Sequence, residues 1–238
     1  MDCYKRFFSG LALVAIALLV AGPALAGSVT GTVKFEGKPP TLKPTNMSAD
    51  PGCAKKHASP PKNEMLVLGS GNTMGNVLVR VRSGASGSYS APKEAVTLDQ
   101  NGCQYEPHVL AMMADQPLKI KNSDGLLHNV HALPKVNQGF NQAMPGSVKE
   151  VTRTFSKTEP PFKIKCDVHP WMAAYVAVLD NPYYDVTSAD GKFTLDGLPP
   201  GDYEIEAWHE KLKTKSAKVS IKGDETATVD FSFSAPQR

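Results

Sequence analysis

One short segment in the second half of the chain brings sulfur and nitrogen donors close together. It reads Cys-Asp-Val-His-Pro-Trp-Met and contains Cys166, His169 and Met172. A further imidazole, His128, lies 38 residues upstream of the cysteine (166 − 128). Two histidine nitrogens and one cysteine sulfur, with a weak axial methionine, are the donors of a type 1 (blue) copper site. We therefore predict that His128, Cys166, His169 and Met172 bind one copper ion per chain.

Each of these residues also has an ordinary structural alternative. A lone cysteine at a strand end is more often a small buried apolar residue than a ligand. A lone methionine is more often part of a core, and a lone histidine is more often a surface or hydrogen-bonded group. The joint spacing Cys-x2-His-x2-Met, with a histidine upstream, favours the ligand interpretation.

The strand that leads to the cysteine has the alternation needed to point the thiol inward. Phe162 and Ile164 share one face with Cys166, and the two lysines between them lie on the opposite face. The turn that follows, stiffened by Pro170, can fold back over the thiol. A loop that brings His169 near the surface would then serve as the electron port.

Alternation of apolar and polar residues at period two continues through most of the chain. It is clear at residues 29–35, 77–82, 118–121, 162–166 and 203–207, and helix signals are almost absent. Nineteen glycines and nineteen prolines mark turns and edges between these runs. The pattern predicts an all-β protein of sandwich type.

The first 26 residues have the organisation of an export signal. A basic start with Lys5 and Arg6 precedes an apolar run from Leu11 to Val20, and Ala24-Leu25-Ala26 is a small-residue cleavage site. We expect cleavage after Ala26 and a periplasmic or secreted protein. No later segment has the length and apolarity of a membrane span.

The charge balance gives no support for binding to nucleic acid. The formal net charge is +3, and removal of the signal, with its two basic residues and one acidic residue, leaves +2. The lysines between residues 211 and 218 are typical of a strand edge protected from pairing with another chain. A docking face for an acidic redox partner is the alternative.

Three cysteines remain after cleavage, and an odd number leaves one thiol unpaired in an oxidising compartment. If Cys166 is a metal ligand, Cys53 and Cys103 are free to form a disulfide. The alternative is a Cys2His2 zinc site that uses these two cysteines with His57 and His108.

The segment from about residue 96 to 179 resembles the plastocyanin/azurin family of cupredoxins. Tyr105-Glu-Pro-His-Val, Leu118-Lys-Ile-Lys-Asn-Ser-Asp and the dipeptide His128-Asn129 look like its early strands and first ligand. The loop from Cys166 to Met172 is most similar to the amicyanin-like loop of the family. The resemblance implies a Greek-key sandwich, the four copper ligands given above, and electron transfer with protein donor and acceptor partners.

The same resemblance assigns roles to residues around the ligands. Asn129 would join the two ligand loops by hydrogen bonds, and Asp167 replaces the small hydroxyl residue usual in the family. Phe162 occupies the position that a binuclear centre would need as a second cysteine, so the site is expected to be mononuclear. His131 is a possible alternative to His128, but the His-Asn pair favours His128.

The C-terminal stretch resembles a carboxypeptidase regulatory-like (transthyretin-like) β-sandwich. Its turns are the Asp190-Gly191 pair and the Pro-Pro-Gly-Asp run that ends at residue 202. It lacks an opening strand, which the segment after the signal would supply. We predict a second, smaller sandwich split into residues 27–93 and 182–238 around a cupredoxin domain at 94–181. The alternative is an N-terminal extension, a cupredoxin and a truncated C-terminal module.

The motifs favour an electron carrier over other functions. Copper storage or delivery is one alternative, with Met65, Met112, Met113 and Met144 as possible Cu(I) donors. A cell-surface binding module without redox function is another. We expect no enzyme activity, because four ligands leave no open coordination position. His209-Glu210 begins like a zinc-protease motif, but Lys213 stands where the second histidine would be.

Overall fold

The computed structural model describes residues 26–235. The predicted signal segment lies outside this range apart from Ala26, so export stays a prediction. Nineteen strands occur among the described residues. In chain order they are β1 (Gly27–Glu36), β2 (Val67–Leu68), β3 (Met74–Gly75), β4 (Leu78–Ser83), β5 (Val96–Asn101), β6 (Gln104–Glu106), β7 (Val109–Met113), β8 (Pro117–Asn122), β9 (His128–Ala132), β10 (Phe140–Met144), β11 (Glu150–Thr154), β12 (Glu159–Lys165), β13 (Ala173–Leu179), β14 (Tyr184–Val186), β15 (Lys192–Leu198), β16 (Gly201–His209), β17 (Lys213–Ile221), β18 (Thr226–Thr228) and β19 (Phe231–Ser234).

Helix is confined to two short pieces of the described chain. The α-helix α1 spans Pro51–Ala54, and a 3-10 turn spans Ser70–Asn72. Neither is long enough to cross a membrane, and the structure offers no other candidate helix in residues 26–235. The prediction of an all-β chain is confirmed.

The middle of the chain forms one sandwich, which we call the middle sandwich. One sheet has the order β10-β9-β12-β13-β7, and the other has the order β11-β8-β5-β6. Strands β13 and β7 run parallel, as do β5 and β8. The alternating apolar residues of both sheets meet in one core, which includes Leu98, Tyr105, Leu118, Ile120, Val130, Phe162, Ile164 and Val176.

Strands from both ends of the chain form a second sandwich, which we call the flanking sandwich. One sheet is β15-β1-β18 with β19 also on β1, and the other is β14-β4-β16-β17. Strand β1 therefore pairs with C-terminal strands on both of its edges. The core contains Val29, Val33, Phe35, Val79, Val81, Phe193, Leu195, Tyr203 and Ile205. The pairing brings the two ends of the chain together, and the domain boundaries at 93 and 182 stay a prediction.

A third apolar cluster joins the two sandwiches. Leu78 of β4 packs with Val109 and Ala111 of β7 and with Ala177 and Leu179 of β13. These residues lie on strand faces opposite those that fill the two main cores. The two sandwiches therefore pack against each other through sheet faces as well as through the connecting chain.

Candidate metal centre

Three of the predicted ligands come together in the interior of the middle sandwich. The ligand atoms of His128, Cys166 and His169 all lie within 4.8 Å of one another. Their exposed fractions are 0%, 1% and 2%, respectively. The Nδ1 atoms of the two histidines are 2.9 Å apart, and the Cys166 sulfur lies 3.8 Å from His169 Nδ1. Both imidazoles therefore present the same nitrogen to the thiol.

Two neighbouring strands position the first histidine and the cysteine. His128 is the first residue of β9, and Cys166 follows the last residue of β12. These strands pair antiparallel, with Lys165 opposite His131. In β12, Phe162 and Ile164 are buried, so alternation directs the thiol into the core. The inward thiol follows from the side-chain period of a strand.

A tight turn brings His169 back to the thiol. The Met172 N–H donates to the His169 carbonyl over 2.9 Å, and the Cys166 N–H donates to the Met172 carbonyl over 3.3 Å. The N–H groups of His169 and Asn129 lie 3.4 and 3.5 Å from the Cys166 sulfur. Burial raises the pKa of the Cys166 thiol, but hydrogen bonds from His128 and from these N–H groups lower it to about 7.

Met172 lies at the end of this turn, next to β13, and is 1% exposed. It belongs to the same apolar cluster as Cys166, and Trp171 packs against that cluster. The structure thus places the methionine inside the sandwich, on the same short segment as Cys166 and His169. Its thioether remains a predicted ligand.

Asn129 and Asp167 form a polar network beside the cluster. The Asp167 N–H donates to Asn129 Oδ1 over 2.6 Å, and Asn129 Nδ2 donates to Asp167 Oδ2 over 3.2 Å. Asn141 also donates to this carboxylate, and His131 Nδ1 lies 2.9 Å from it. The hydrogen bond from Lys165 contributes most to holding the pKa of Asp167 well below its usual range. His131 therefore belongs to the Asp167 network and lies outside the His128–Cys166–His169 cluster.

Two carboxylates that the motif search did not identify contact the outer nitrogens of the two clustered histidines. Asp124 Oδ2 lies 2.9 Å from His128 Nε2, and Asp50 Oδ2 lies 3.0 Å from His169 Nε2. Burial lowers the pKa of His128, but its hydrogen bonds to the Asp124 carboxylate and to the Cys166 sulfur raise it to about 9. Burial also opposes ionisation of Asp124, yet hydrogen bonds from His128, the Cys103 N–H and Lys56 lower its pKa to about 2.

The predicted disulfide between Cys53 and Cys103 is confirmed. Their Cα atoms are 5.6 Å apart and 50 residues separate them in sequence. The zinc alternative is wrong, because both sulfurs are bonded to each other. Its histidines are also engaged elsewhere: His57 Nε2 lies 2.7 Å from the Gly102 carbonyl, and His108 Nε2 lies 2.8 Å from Glu210.

The ligand loop is expected to bring His169 near the surface as an electron port; the ring itself is only 2% exposed. Its ring is buried because the segment around α1 covers its outer edge: Asp50 caps this helix, and the Cys53 sulfur lies 3.5 Å from His169 Nε2. Trp171, only partly buried, lies beside the imidazole with ring centroids 5.0 Å apart. The long loop between β1 and β2, which contains α1, thus closes the cluster.

Comparison with known proteins finds the two predicted kinds of domain. A family model described as the carboxypeptidase regulatory-like domain matches residues 169–234. This match confirms the resemblance in the C-terminal stretch and begins before residue 182. No curated protein matches the chain.

Solved structures similar to this chain include cupredoxins and a copper-containing enzyme. A Cu(I) amicyanin variant is 20% identical over 44% of this chain and 99% of its own, with a TM-score of 0.33. A purple cupredoxin from Nitrosopumilus maritimus is 18% identical over 35% of this chain and 98% of its own, at 0.30. The copper-containing nitrite reductase from Thermus scotoductus SA-01 is 18% identical over 41% of this chain, at 0.35. This chain spans only 25% of the reductase. With TM-scores this low, the similarity to these structures does not identify the residues or the function of the site.

Proposed function

We propose that this chain is an exported, mononuclear type 1 copper protein that carries electrons between protein partners. The observation that supports this most is the convergence of one thiol and two Nδ1 atoms in a buried cluster. A soft thiolate with two imidazoles is a donor set that suits copper. His128, Cys166 and His169 would hold the ion, with Met172 as the axial ligand.

The surroundings of these residues, as well as their donor atoms, suit a copper ion. Burial excludes water from the cluster, and two backbone N–H groups point at the sulfur and stabilise its thiolate form. When bound, copper would supply a one-electron couple between Cu(II) and Cu(I). The chain supplies donors fixed by two paired strands and a closed turn, which limits rearrangement when the charge of the site changes.

The other functions considered from the sequence receive less support. Met112, Met113 and Met144 pack as buried residues of the sandwich, as ordinary core methionines do, so they give no separate reason to propose copper storage. An enzyme would need an open coordination position, whereas the four proposed ligands are all buried and leave none. We therefore propose a carrier without catalytic activity, located in the periplasm or secreted.

A visible spectrum of the oxidised, copper-loaded protein tests the proposal. We expect a thiolate-to-copper charge-transfer band and a narrow copper hyperfine splitting. Cys166→Ser should remove the band while far-ultraviolet circular dichroism stays that of a β protein. Ala174→Ser, a conservative change at another buried position of the same sandwich, should keep the band. A wild-type protein that stays colourless and binds copper no better than Cys166→Ser would refute the proposal.

A further inference from the structure

Each ligand histidine is held from behind by a carboxylate. The Nδ1 atoms of His128 and His169 face each other and the thiol, whereas the Nε2 atoms point away from the cluster. Asp124 contacts the outer nitrogen of His128, and Asp50 contacts that of His169. A proton on each Nε2 leaves the Nδ1 lone pair free for a metal ion, and a carboxylate partner holds that tautomer and ring orientation.

Asp124 is itself held by a complete set of donors. Its side chain is 0% exposed. One oxygen accepts from the Gly102 N–H and lies 3.0 Å from the Lys56 ammonium, and the other accepts from the Cys103 N–H over 2.7 Å. The carboxylate therefore cannot turn away from His128 without losing several hydrogen bonds. Its charge is largely balanced by Lys56.

Asp50 is oriented by a different device and lies in a different electrostatic environment. Its Oδ1 accepts from the Gly52 and Cys53 N–H groups as the N-cap of α1, which leaves Oδ2 for His169. The side chain is 35% exposed, and among the described residues its ion-pair partner is His169 alone. Its negative charge is thus not balanced by a lysine or arginine.

Two buried imidazoles need hydrogen-bond partners, and this need alone would explain the presence of two carboxylates. It would not explain why both carboxylates contact the nitrogen that faces away from the cluster, or why further hydrogen bonds hold each carboxylate in place. Both features occur at both histidines. They are the features that orient a ligand toward a metal ion and increase its basicity.

We infer that Asp50 and Asp124 are positioning residues of the copper centre, which orient His169 and His128 and favour the oxidised ion. This inference rests on the proposed function. Negative charge behind a ligand stabilises the more highly charged ion, so the carboxylates strengthen binding of Cu(II) more than binding of Cu(I) and lower the reduction potential. The effect of Asp50 on the potential is the larger, because Lys56 offsets the charge of Asp124.

The test compares Asp50→Asn and Asp124→Asn with wild type in the full mature chain. Affinities for Cu(II) and Cu(I) are measured separately by competition with chelators, and the potential is measured by voltammetry. Loss of such a partner typically weakens metal binding about 10- to 100-fold. We expect the Cu(II) affinity of Asp50→Asn to fall about tenfold more than its Cu(I) affinity, which corresponds to a potential about 59 mV higher.

Three further variants make the result decisive. Asp224→Asn removes an exposed carboxylate between β17 and β18 and should leave the potential unchanged. Lys56→Gln leaves Asp124 unbalanced and should lower the potential, which tests the role of Asp124 even where Asp124→Asn fails to fold. Asp50→Ala removes the N-cap as well as the charge and should bind copper more weakly than Asp50→Asn.

The two proposals fail in different ways. Potentials of Asp50→Asn and Lys56→Gln equal to that of Asp224→Asn, in proteins that still show the visible band, would overturn the role of the carboxylates and leave the copper site standing. A wild-type protein without the band would instead overturn the proposed function, on which the inference depends.

Discussion

The roles of individual residues in the cluster depend on which nitrogen or sulfur each one presents. The Cys166 sulfur accepts hydrogen bonds from two backbone N–H groups, and both histidines direct Nδ1 into the cluster. A methionine at the end of the turn is sequestered in the same core. These residues are therefore expected to differ in what they contribute: the first three create the site, and Met172 adjusts it.

Met172→Leu tests this difference. An axial thioether is a weak, long ligand that helps to set the potential, and leucine fills a similar volume without a donor. We expect the variant to bind copper, to keep the visible band and to have a higher potential, because the oxidised ion loses a donor. Voltammetry checks this outcome, and a potential equal to that of wild type would show that Met172 is not axial.

His128→Ala and His131→Ala distinguish the two candidates for the first ligand. His128 is fully buried with its Nδ1 in the cluster, whereas His131 is partly exposed and contacts Asp167. We expect the first variant to lose the visible band and the second to keep it, as recorded by absorption of copper-loaded protein. The opposite result would move the ligand role to His131.

At the scale of strands and turns, short-range patterns in the sequence predicted much of the geometry around Cys166 and His169. Alternation around Ile164 correctly placed Cys166 in the core, and the spacing within the turn brought His169 back to the thiol. Asp124 lies only four residues before His128, and the motif search overlooked it. Asp50 could not be found from short-range patterns. Asp50 is 119 residues from His169, and no local pattern reports a contact that forms only when a distant loop folds over the site.

The long loop after β1 shows the same limit. Its proline and lysine content predicts irregular chain, which is largely what the structure has. Composition does not predict where such a loop packs. The burial of His169 follows from the disulfide at Cys53 and the N-cap at Asp50, and these are tertiary contacts.

Glu159 anchors another loop, which connects β9 with β10. Its carboxylate accepts hydrogen bonds from the backbone N–H groups of Lys135, Val136 and Asn137. Hydrogen bonds to charged groups contribute roughly 1.5–3 kcal/mol each, and an amide can satisfy only some of these donors. We expect Glu159→Gln to lower the free energy of unfolding by about 2 kcal/mol at neutral pH, measured with urea.

The effect of Glu159 should also depend on pH. Burial raises its pKa, but the N–H groups of Asn137 and Lys135 outweigh this and hold the pKa below the ordinary value of 4.5. A lowered pKa in the folded state contributes stability above the unfolded value, and that stability is lost as pH falls through the folded value. The difference between wild type and Glu159→Gln should therefore shrink in acid. Glu150→Gln, at an exposed strand position, is the control and should change little at either pH.

On the scale of the whole molecule, the N-terminal part of the chain serves both sandwiches. Strand β1 completes the flanking sandwich, and the loop that follows it covers the proposed metal centre of the middle sandwich. The disulfide fixes this loop to the turn between β5 and β6. Cys53 and Cys103 thus connect the predicted N-terminal domain segment to the beginning of the middle sandwich.

The disulfide is expected to stabilise the protein and to keep free thiols away from the proposed copper site. In the chain-entropy view, a bridge that closes a loop of this length contributes roughly 4 kcal/mol. The variant with both cysteines changed to alanine should unfold at lower denaturant concentration. Mass spectrometry of the metal-free, non-reduced mature protein should find one bridge and one alkylatable thiol, that of Cys166. Three alkylatable thiols would contradict the prediction.

Substitution of Gly31 tests whether a disturbance in the core of the flanking sandwich leaves the core of the middle sandwich intact. A Cβ atom at this position in β1 would lie 1.8 Å from the Val229 carbonyl oxygen, and the Val229 N–H donates to the neighbouring Thr30 carbonyl. Gly31→Ala must therefore push the chain between β18 and β19 away from β1. Overpacking of this kind costs roughly 1–3 kcal/mol, and we expect the upper end because the obstacle is backbone.

The proposed metal centre belongs to a different core, so the visible band of copper-loaded Gly31→Ala should persist at room temperature while its unfolding temperature falls. Gly201→Ala in β16 is the matched control: its nearest contact would be 3.5 Å away, at the Tyr203 side chain, and its unfolding temperature should change little. Circular dichroism and absorption followed together on heating measure both properties. Loss of the band in Gly31→Ala at room temperature would show that closure of the flanking sandwich by β1 is needed to hold the loop over His169.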